Sequence, residues 1–212
     1  DTYTVEYNTD GQSLNIVYSD ATKGWLPLED DVVAEAPSPP PTQKALFGYG
    51  YTGSNISLTN LVSSSGVVAA NVTGVGTARR ELAAAGYGGD KAIFGYGNTG
   101  SKVSLTNLVN NSGVVSADVT GVGTARDSLA AANYGTDKAI FGYGNNGSDV
   151  SMTNLVSNSG VVSSDVSGVG TARNYPAAST YGGDKAIFGY GHTGTQVSMT
   201  NLVSNLGVVS AD

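Results

Sequence analysis

Few residues in this 212-residue chain have the types and spacing that catalysis or metal binding requires. His192 is the only histidine and the chain has no cysteine, which excludes a disulfide framework and a thiolate metal site. His192 lies in a glycine-flanked turn, as is typical of a variable surface position, and alone it does not form the nucleophile–base pair of a catalytic triad. We therefore predict no metal, no cofactor and no catalytic residue.

A second candidate is the segment Gly95-Tyr-Gly-Asn-Thr-Gly100, which fits the GxGxxG pattern of dinucleotide-binding sites. Such a site needs a helix directly after the glycines, so that the helix N-terminus meets the pyrophosphate. Here the strand-like run Val103-Ser-Leu-Thr106 follows instead, and a closely similar segment returns several times along the chain. The pattern therefore predicts tight turns and close strand approach rather than nucleotide binding.

The dominant feature of the chain is an internal repeat. The segment Lys44-Ala-Leu-Phe-Gly-Tyr-Gly50 returns from Lys91, Lys138 and Lys185, with a spacing of 47 residues each time. A fixed period of this length indicates a repeat architecture, in which neighbouring units bury a shared core.

Charged residues recur at fixed positions within the repeats: Arg79, Arg126 and Arg173, and Asp90, Asp137 and Asp184. Identical charges at an identical position in every unit favour a structural role over ligand contact, because binding seldom needs the same charge in each unit. An arginine between two units can bond carboxylates or backbone carbonyls of a neighbour. We predict that these residues join the repeats.

The best candidates for ligand binding are positions that vary between copies around one turn. These are Tyr51, Asn98, Asn145 and His192, together with Asn55, Lys102, Asp149 and Gln196. Loops on a rigid scaffold are where binding usually resides, although neutral drift in exposed turns explains the same variation. Both sets flank one turn, so we expect them to cluster along one edge of the array.

The elements that carry these residues are predicted to be strands. Each repeat has four short apolar segments, in the second copy Lys91–Tyr96, Val103–Val109, Gly113–Val119 and Thr124–Tyr134, with glycine-rich turns between them. The fourth segment contains helix-forming alanines, but Pro176 interrupts its equivalent in the third copy, so we predict a strand there too. The expected core of a repeat is Ile93, Phe94, Leu105, Leu108, Val109, Val114 and Val115, with the Tyr96 hydroxyl reaching a turn or water.

Three regions are expected along the chain. Residues 1–27 form a small β-hairpin module with strands at Thr2–Tyr7 and Ser13–Tyr18. Its apolar residues either form a small core or pack on another chain; they are Tyr3, Val5, Leu14, Ile16 and Trp25. Residues 28–43 form an acidic, proline-rich linker, and residues 44–212 form four tandem repeats, the last one incomplete. The chain does not begin with Met, and we expect a processed or partial product.

Charge and hydropathy exclude several kinds of partner. Residues 1–43 carry eight acids and one lysine, whereas residues 44–212 carry nine acids and nine bases, so the net charge of −7 belongs to the N-terminal region. No basic stripe is present, which predicts no nucleic-acid binding. No apolar run approaches the length of a membrane span. The low charged fraction of 13% favours an extracellular or virion β-protein.

The repeat resembles two known groups of proteins. Its 47-residue period, with Arg126 before an apolar strand that leads into Gly142-Tyr-Gly144, is similar to kelch repeats, whose blades run about 50 residues. The resemblance implies an all-β fold, a kelch-like β-propeller or a related β-repeat array with a small N-terminal β-module. The repeat sequence also resembles that of tandem-repeat virion proteins of cyanobacterial tailed phages, in the pattern Gly123-Thr-Ala-Arg126 … Asp137-Lys-Ala-Ile-Phe-Gly-Tyr-Gly144. The N-terminal segment Asp10-Gly-Gln-Ser-Leu-Asn-Ile-Val-Tyr-Ser-Asp20 resembles the same proteins.

The second resemblance implies a non-enzymatic fibre or appendage protein of a virion, with host-surface binding as an additional role. Its partners would be other virion or fibre subunits, reached through the N-terminal module, and a host glycan or protein, with the chain acting as a homo-oligomer. Two alternatives remain: an extracellular fibril-forming microbial surface protein, and a propeller-type carbohydrate-active enzyme. The enzyme would need a non-repeating acid pair, a metal cluster or a redox cysteine.

Overall fold

The computed structural model describes residues 16–22, 24–27 and 44–212, and these residues form strands and turns without any helix. The chain divides into two compact units, residues 1–42 and residues 43–212. The expected strand Thr2–Tyr7, the core candidates Tyr3, Val5 and Leu14, and the linker 28–43 lie outside the described residues. The all-β fold class predicted from the sequence is confirmed.

The first unit contains a short antiparallel hairpin, formed by β1 (Ile16–Asp20) and β2 (Gly24–Pro27). Tyr18 and Trp25 stand opposite each other in the pair, with ring centroids 5.4 Å apart in an edge-on arrangement. Trp25 nevertheless keeps 65% of its surface exposed. The expected pairing of Ser13–Tyr18 with Thr2–Tyr7 involves residues outside the described part of the chain.

The described residues of the second unit, 44–212, form eleven strands. They are β3 (Ala45–Tyr51), β4 (Asn55–Val62), β5 (Ala83–Tyr87), β6 (Lys91–Gly95), β7 (Thr106–Val109), β8 (Ala130–Tyr134), β9 (Lys138–Gly142), β10 (Thr153–Val156), β11 (Ala177–Tyr181), β12 (Lys185–Gly189) and β13 (Thr200–Val203). The alanine-rich segments β5, β8 and β11 are strands, as predicted, and Pro176 directly precedes β11.

These strands form one two-stranded and three three-stranded antiparallel sheets. β3 pairs with β4, and the other sheets have the strand orders β5-β6-β7, β8-β9-β10 and β11-β12-β13. Beyond β7 the chain returns alongside the sheet through isolated bridges from Val115 to Val109 and from Val119 to Thr106. The predicted third segment of each repeat is thus an irregular edge rather than a regular strand. Among the described strands the sheets stay separate, and none closes into a barrel or ring.

The core of the second repeat follows the predicted pattern with one correction, whereas the equivalent positions Phe47, Val68 and Leu202 in the first and last repeats are exposed. Ile93, Phe94, Val109 and Val115 are buried, whereas Val114 is 61% exposed, so its assignment to the core was wrong. Adjacent residues of an extended chain point to opposite sides, so burying Val115 turns Val114 outward. Leu105 and Leu108 are only half-buried.

Successive sheets pack through a phenylalanine that meets the Gly-Tyr pair of the preceding repeat. Phe141 packs edge-on against Tyr96, with ring centroids 5.2 Å apart, and a Cβ on Gly95 would lie 2.6 Å from the Phe141 ring. The same contact joins Phe94 to Tyr49 at 5.1 Å and Phe188 to Tyr143 at 5.1 Å. Glycine is needed here because any side chain would occupy the place of the incoming ring.

The tyrosine of the Gly-Tyr-Gly motif adopts a left-handed backbone conformation, with φ 64° at Tyr96 and φ 107° at Gly97. Such a conformation is rare for a bulky residue and persists only where its surroundings hold it. The Tyr96 ring is fully buried, and its hydroxyl donates to the Val122 carbonyl at 3.2 Å. The predicted role of this hydroxyl in reaching a turn is confirmed.

Candidate functional site

The recurring arginines lie inside the joints between consecutive sheets. The Arg126 guanidinium sits 4.2 Å above the ring of Tyr96, which directly follows β6 of the preceding sheet, and the Arg126 side chain is fully buried. Arg126 Nε donates to the Tyr143 carbonyl at 2.9 Å, and Nη2 donates to Asn154 Oδ1 at 2.7 Å. Arg126 therefore binds an aromatic face of one sheet and polar groups of the next at once.

The other two joints repeat this arrangement. Arg79 lies 4.4 Å above Tyr49, and Arg173 lies 4.0 Å above Tyr143. Arg79 Nε donates to the Tyr96 carbonyl at 2.8 Å, but Arg173 Nε has no partner among the described residues. The last joint is thus one hydrogen bond short of the two before it.

An aspartate near each arginine fixes the segment that enters the sheet. The Asp165 carboxylate accepts from the Thr124 backbone at 3.0 Å, from the Thr124 hydroxyl at 2.6 Å and from Asn154 Nδ2 at 2.9 Å, and it lies 3.9 Å from Arg126. Burial alone would raise the pKa of Asp165, but these hydrogen bonds and the arginine outweigh it and hold the pKa below its ordinary value. The ionised form of Asp165 is therefore the one built into the joint.

Burial shifts the pKa values of Tyr96 and Arg126 in opposite directions, in each case toward the neutral form. It raises the pKa of the Tyr96 hydroxyl to about 12 and lowers the pKa of the Arg126 guanidinium. An arginine stays protonated in proteins even so, and Tyr96 stays neutral at ordinary pH. The pair is a fixed cation–π contact and not a proton-transfer site.

Asp90, Asp137 and Asp184 lie in the tight turn before each second strand. Each forms an ion pair with the lysine that follows it, from Asp90 to Lys91 at 3.0 Å and from Asp184 to Lys185 at 2.7 Å. A hydrogen bond from Lys91 lowers the pKa of Asp90. The backbone carbonyl of Asp137 also accepts from Gly88 of the preceding repeat at 2.7 Å, so this turn too connects neighbouring units.

The variable positions form a row of bonded turns along one edge of the array. Asn98 bridges Lys102, Asn145 bridges Asp149, and His192 bridges Gln196 across the successive turns. At the first repeat Asn55 Nδ2 donates to the Asn98 carbonyl at 3.2 Å, and the Arg80 guanidinium lies 5.1 Å from the Tyr51 ring. Asn55 thus joins the first of these turns to the second.

The best-connected point on this edge is Asp127, which the sequence argument did not single out as a site residue. Asp127 is only 4% exposed and accepts from Asn98 Nδ2 at 2.8 Å and from Lys102 Nζ at 3.2 Å. Lys102 also bonds the side chain and the carbonyl of Asn145 in the next repeat. The available signal was an acid at a variable position directly after the invariant Arg126. These variable residues are therefore largely bonded to one another.

The last repeat carries an open cavity of about 520 Å³, lined by Tyr175, Tyr190, Gly191, His192, Gln196 and Val197. Tyr175 and Tyr190 keep 62% and 63% of their surface exposed. His192 Nδ1 accepts from the Gly194 backbone at 3.2 Å, so this nitrogen is used within its own turn. The counterparts of Tyr190 in the earlier repeats are covered by the next sheet, which identifies the cavity as part of an uncovered end face.

The described residues contain no group of three or more His, Cys, Asp or Glu side chains arranged to hold a metal ion. A helix of sufficient length and apolar character to cross a membrane is also missing from the described residues. Comparison of the chain with protein-family models and with curated protein sequences finds no match.

Proposed function

We propose that the protein is a non-enzymatic structural component of a virion fibre or appendage, in which the tandem sheets form a scaffold. The observation that carries this proposal is that Arg79, Arg126 and Arg173, the charges repeated in every unit, are fully buried between sheets. A guanidinium without exposed surface cannot meet a substrate or receptor, but it can tie one unit to the next. The arginines repeated in every unit thus serve to join the sheets of the array.

The sheets would be arranged as the blades of a kelch-like propeller or of a related open array. In support, the first strands β5, β8 and β11 contact one another in order along the chain. Backbone hydrogen bonds join their ends from repeat to repeat, from Gly88 to Asp137 and from Ser128 to Glu81. In a β-propeller the first strands of successive blades lie side by side around the central axis, and the other strands of each blade lie further from that axis.

Contact with a host surface would fall to the variable edge. Its turns differ in charge and size between repeats, from Tyr51 to Lys102, Asp149 and His192. Each turn offers a small surface, so single contacts with a glycan or protein would be weak. Several turns on one scaffold, and several copies in one fibre, would raise the overall avidity by orders of magnitude, on the order of 10²–10⁴.

The experiment is immunogold electron microscopy with antibodies raised against the purified chain. Virus particles and host cells are labelled separately, with pre-immune serum as the control. Gold confined to tail or appendage fibres supports the proposal. Absence of label on intact particles, together with label elsewhere, rejects it.

A second candidate function is a fibril-forming surface protein of a microbe. Phe47 at one end of the array and Tyr190 at the other are 64% and 63% exposed, although their counterparts are buried in joints. Such faces favour end-to-end association. Label along filaments on the surface of cells, and none on particles, would favour this second function.

A further inference from the structure

The two end sheets of the array expose the two halves of one joint. Phe47 is 64% exposed, while its counterparts Phe94, Phe141 and Phe188 are at most 4% exposed. Tyr190 is 63% exposed, while its counterparts Tyr49, Tyr96 and Tyr143 are at most 7% exposed. The first sheet thus offers a free phenylalanine, and the last sheet offers a free Gly-Tyr face.

The internal joints show that these halves fit each other. Three times along the chain a phenylalanine seats on the Gly-Tyr pair of the preceding repeat, with ring centroids 5.1, 5.2 and 5.1 Å apart. At Gly95 and Gly142 an added Cβ would lie 2.6 Å from the seated ring. At Gly189 an added Cβ would meet only the Thr200 methyl group, at 3.4 Å. The seat beside Gly189 is therefore formed but lacks its phenylalanine.

The cavity in the last repeat, which Tyr190 itself lines, shows the same open face from its backbone. Gly50, Gly97 and Gly144 each donate a backbone hydrogen bond to the arginine carbonyl of the segment entering the next sheet, at 2.9, 3.0 and 3.0 Å. Gly191, their counterpart, lines the cavity and makes no such bond among the described residues. The cavity thus occupies the place of the segment that leads into a following sheet.

We propose that a second copy of this chain fills this place, with its Phe47 seated on Gly189 and Tyr190. The proposal deepens the proposed function, since it names the partner through which the scaffold extends. The contact is head-to-tail, so it uses two different surfaces of each copy. Such an interface produces a closed ring if the rotation closes and a filament if it does not.

The joint between copies would be weaker than the internal joints. Val32 stands 47 residues before Arg79, so the repeat spacing places no arginine to cover Tyr190 of the partner copy. Asn71 likewise stands where the later repeats carry Asp118, Asp165 and Asp212, and it accepts from Asn60 at 2.9 Å. The contact would keep its aromatic pair but lose the cation–π clamp, which predicts reversible association.

The test is sedimentation velocity with native mass spectrometry on the 212-residue chain over a wide concentration range. Wild type is compared with Phe47→Ala, Gly189→Ala and the control Val161→Ala, which truncates a side chain that is 66% exposed elsewhere. We expect concentration-dependent oligomers for wild type and the control. Both end-face variants should weaken association by at least about tenfold, since one removes the incoming ring and the other obstructs its seat.

Either variant alone can decide the question. Phe47 has few contacts to lose, and the methyl group that Gly189→Ala adds has room, so both variants should unfold thermally at nearly the wild-type temperature. A wild-type chain that stays monomeric at every concentration would overturn the proposal, as would association in both variants that is as strong as in the wild type. Failure of the immunogold test would leave these results unchanged, so the two proposals fail separately.

Discussion

Phe141 lies edge-on against Tyr96 of the preceding repeat, with 5.2 Å between the ring centroids and 66° between the ring planes. Arg126 covers the same tyrosine at 4.2 Å. One tyrosine thus receives a phenylalanine from the next sheet and an arginine from the segment that leads into that sheet. The joint combines apolar burial, an aromatic pair and a cation–π contact at a single residue.

Gly95→Ala should destabilise the chain by about 1–3 kcal/mol, because the new methyl group would enter the Phe141 ring and force the sheets apart. Gly189→Ala is the matched control, since its methyl group would meet only Thr200 at 3.4 Å. Urea unfolding at low protein concentration measures both free energies. Equal losses for the two variants would show that the glycine does not serve the joint.

Phe141→Ala should lower the free energy of unfolding by about 3–5 kcal/mol, the usual loss for a buried phenylalanine. Phe47→Ala, at the same position of the first repeat, should change it by less than about 0.5 kcal/mol in the monomer because the side chain is largely exposed. Denaturant titration of both variants tests the difference. Similar losses of unfolding free energy in the two variants would show that the Phe47 side of the first sheet is covered.

Acid should weaken the joints through their aspartates. The pKa values of Asp118 and Asp165 are lower in the folded chain than their ordinary value of 3.8, so the unfolded chain takes up protons first as the pH falls. Their contribution is present above about pH 4 and is lost progressively below it. Unfolding free energies at a series of pH values between about 7 and about 2.5 measure the loss.

Asp165→Asn provides the control for this pH dependence. Asparagine is tolerated at the equivalent position of the first repeat, where Asn71 accepts a hydrogen bond from Asn60. The variant should be less stable at neutral pH and should lose less stability on acidification than wild type. An unchanged acid slope would mean that Asp165 does not contribute through its ionised form.

The variable edge should owe part of its order to Asp127. Asp127→Ala removes the acceptor of Asn98 and Lys102 from a largely buried position, and we expect a loss of about 1–3 kcal/mol. Asp137→Ala is the control, because its carboxylate lies at the surface and pairs with Lys138 at 3.9 Å. Thermal unfolding measures both. A larger loss of stability for Asp137→Ala than for Asp127→Ala would show that Asp127 does not hold the edge in order.

Much of the repeat could be predicted from its sequence because the pattern is local. Pro176 excluded a helix for the alanine-rich segment, and the short apolar segment around Ile93 and Phe94 identified buried positions. Val114 was misplaced because two adjacent valines carry no signal for which one faces inward. Only the pairing of Val115 with Val109 decides it.

The joints could not be derived in detail because their partners are far apart in the chain. Arg126 and Tyr96 belong to the same 47-residue copy but flank different sheets, and no periodicity indicates that the guanidinium covers that ring. The burial of Asp127 likewise depends on Lys102 reaching across from the segment between β6 and β7. Spacing predicted that the recurring charges belong to the architecture, whereas their geometry required the packed sheets.

The most direct test of this account is the unfolding free energy of Arg126→Ala and Arg126→Lys beside the surface control Lys138→Ala. We expect Arg126→Ala to lose about 3–5 kcal/mol, because it leaves Asn154, the Tyr143 carbonyl and the Tyr96 ring without their partner. Lysine should restore only part of the loss, since it lacks the planar fork. Lys138→Ala should stay within about 0.5 kcal/mol of wild type. An Arg126→Ala chain as stable as wild type would contradict the central claim that the buried arginines hold the repeats together.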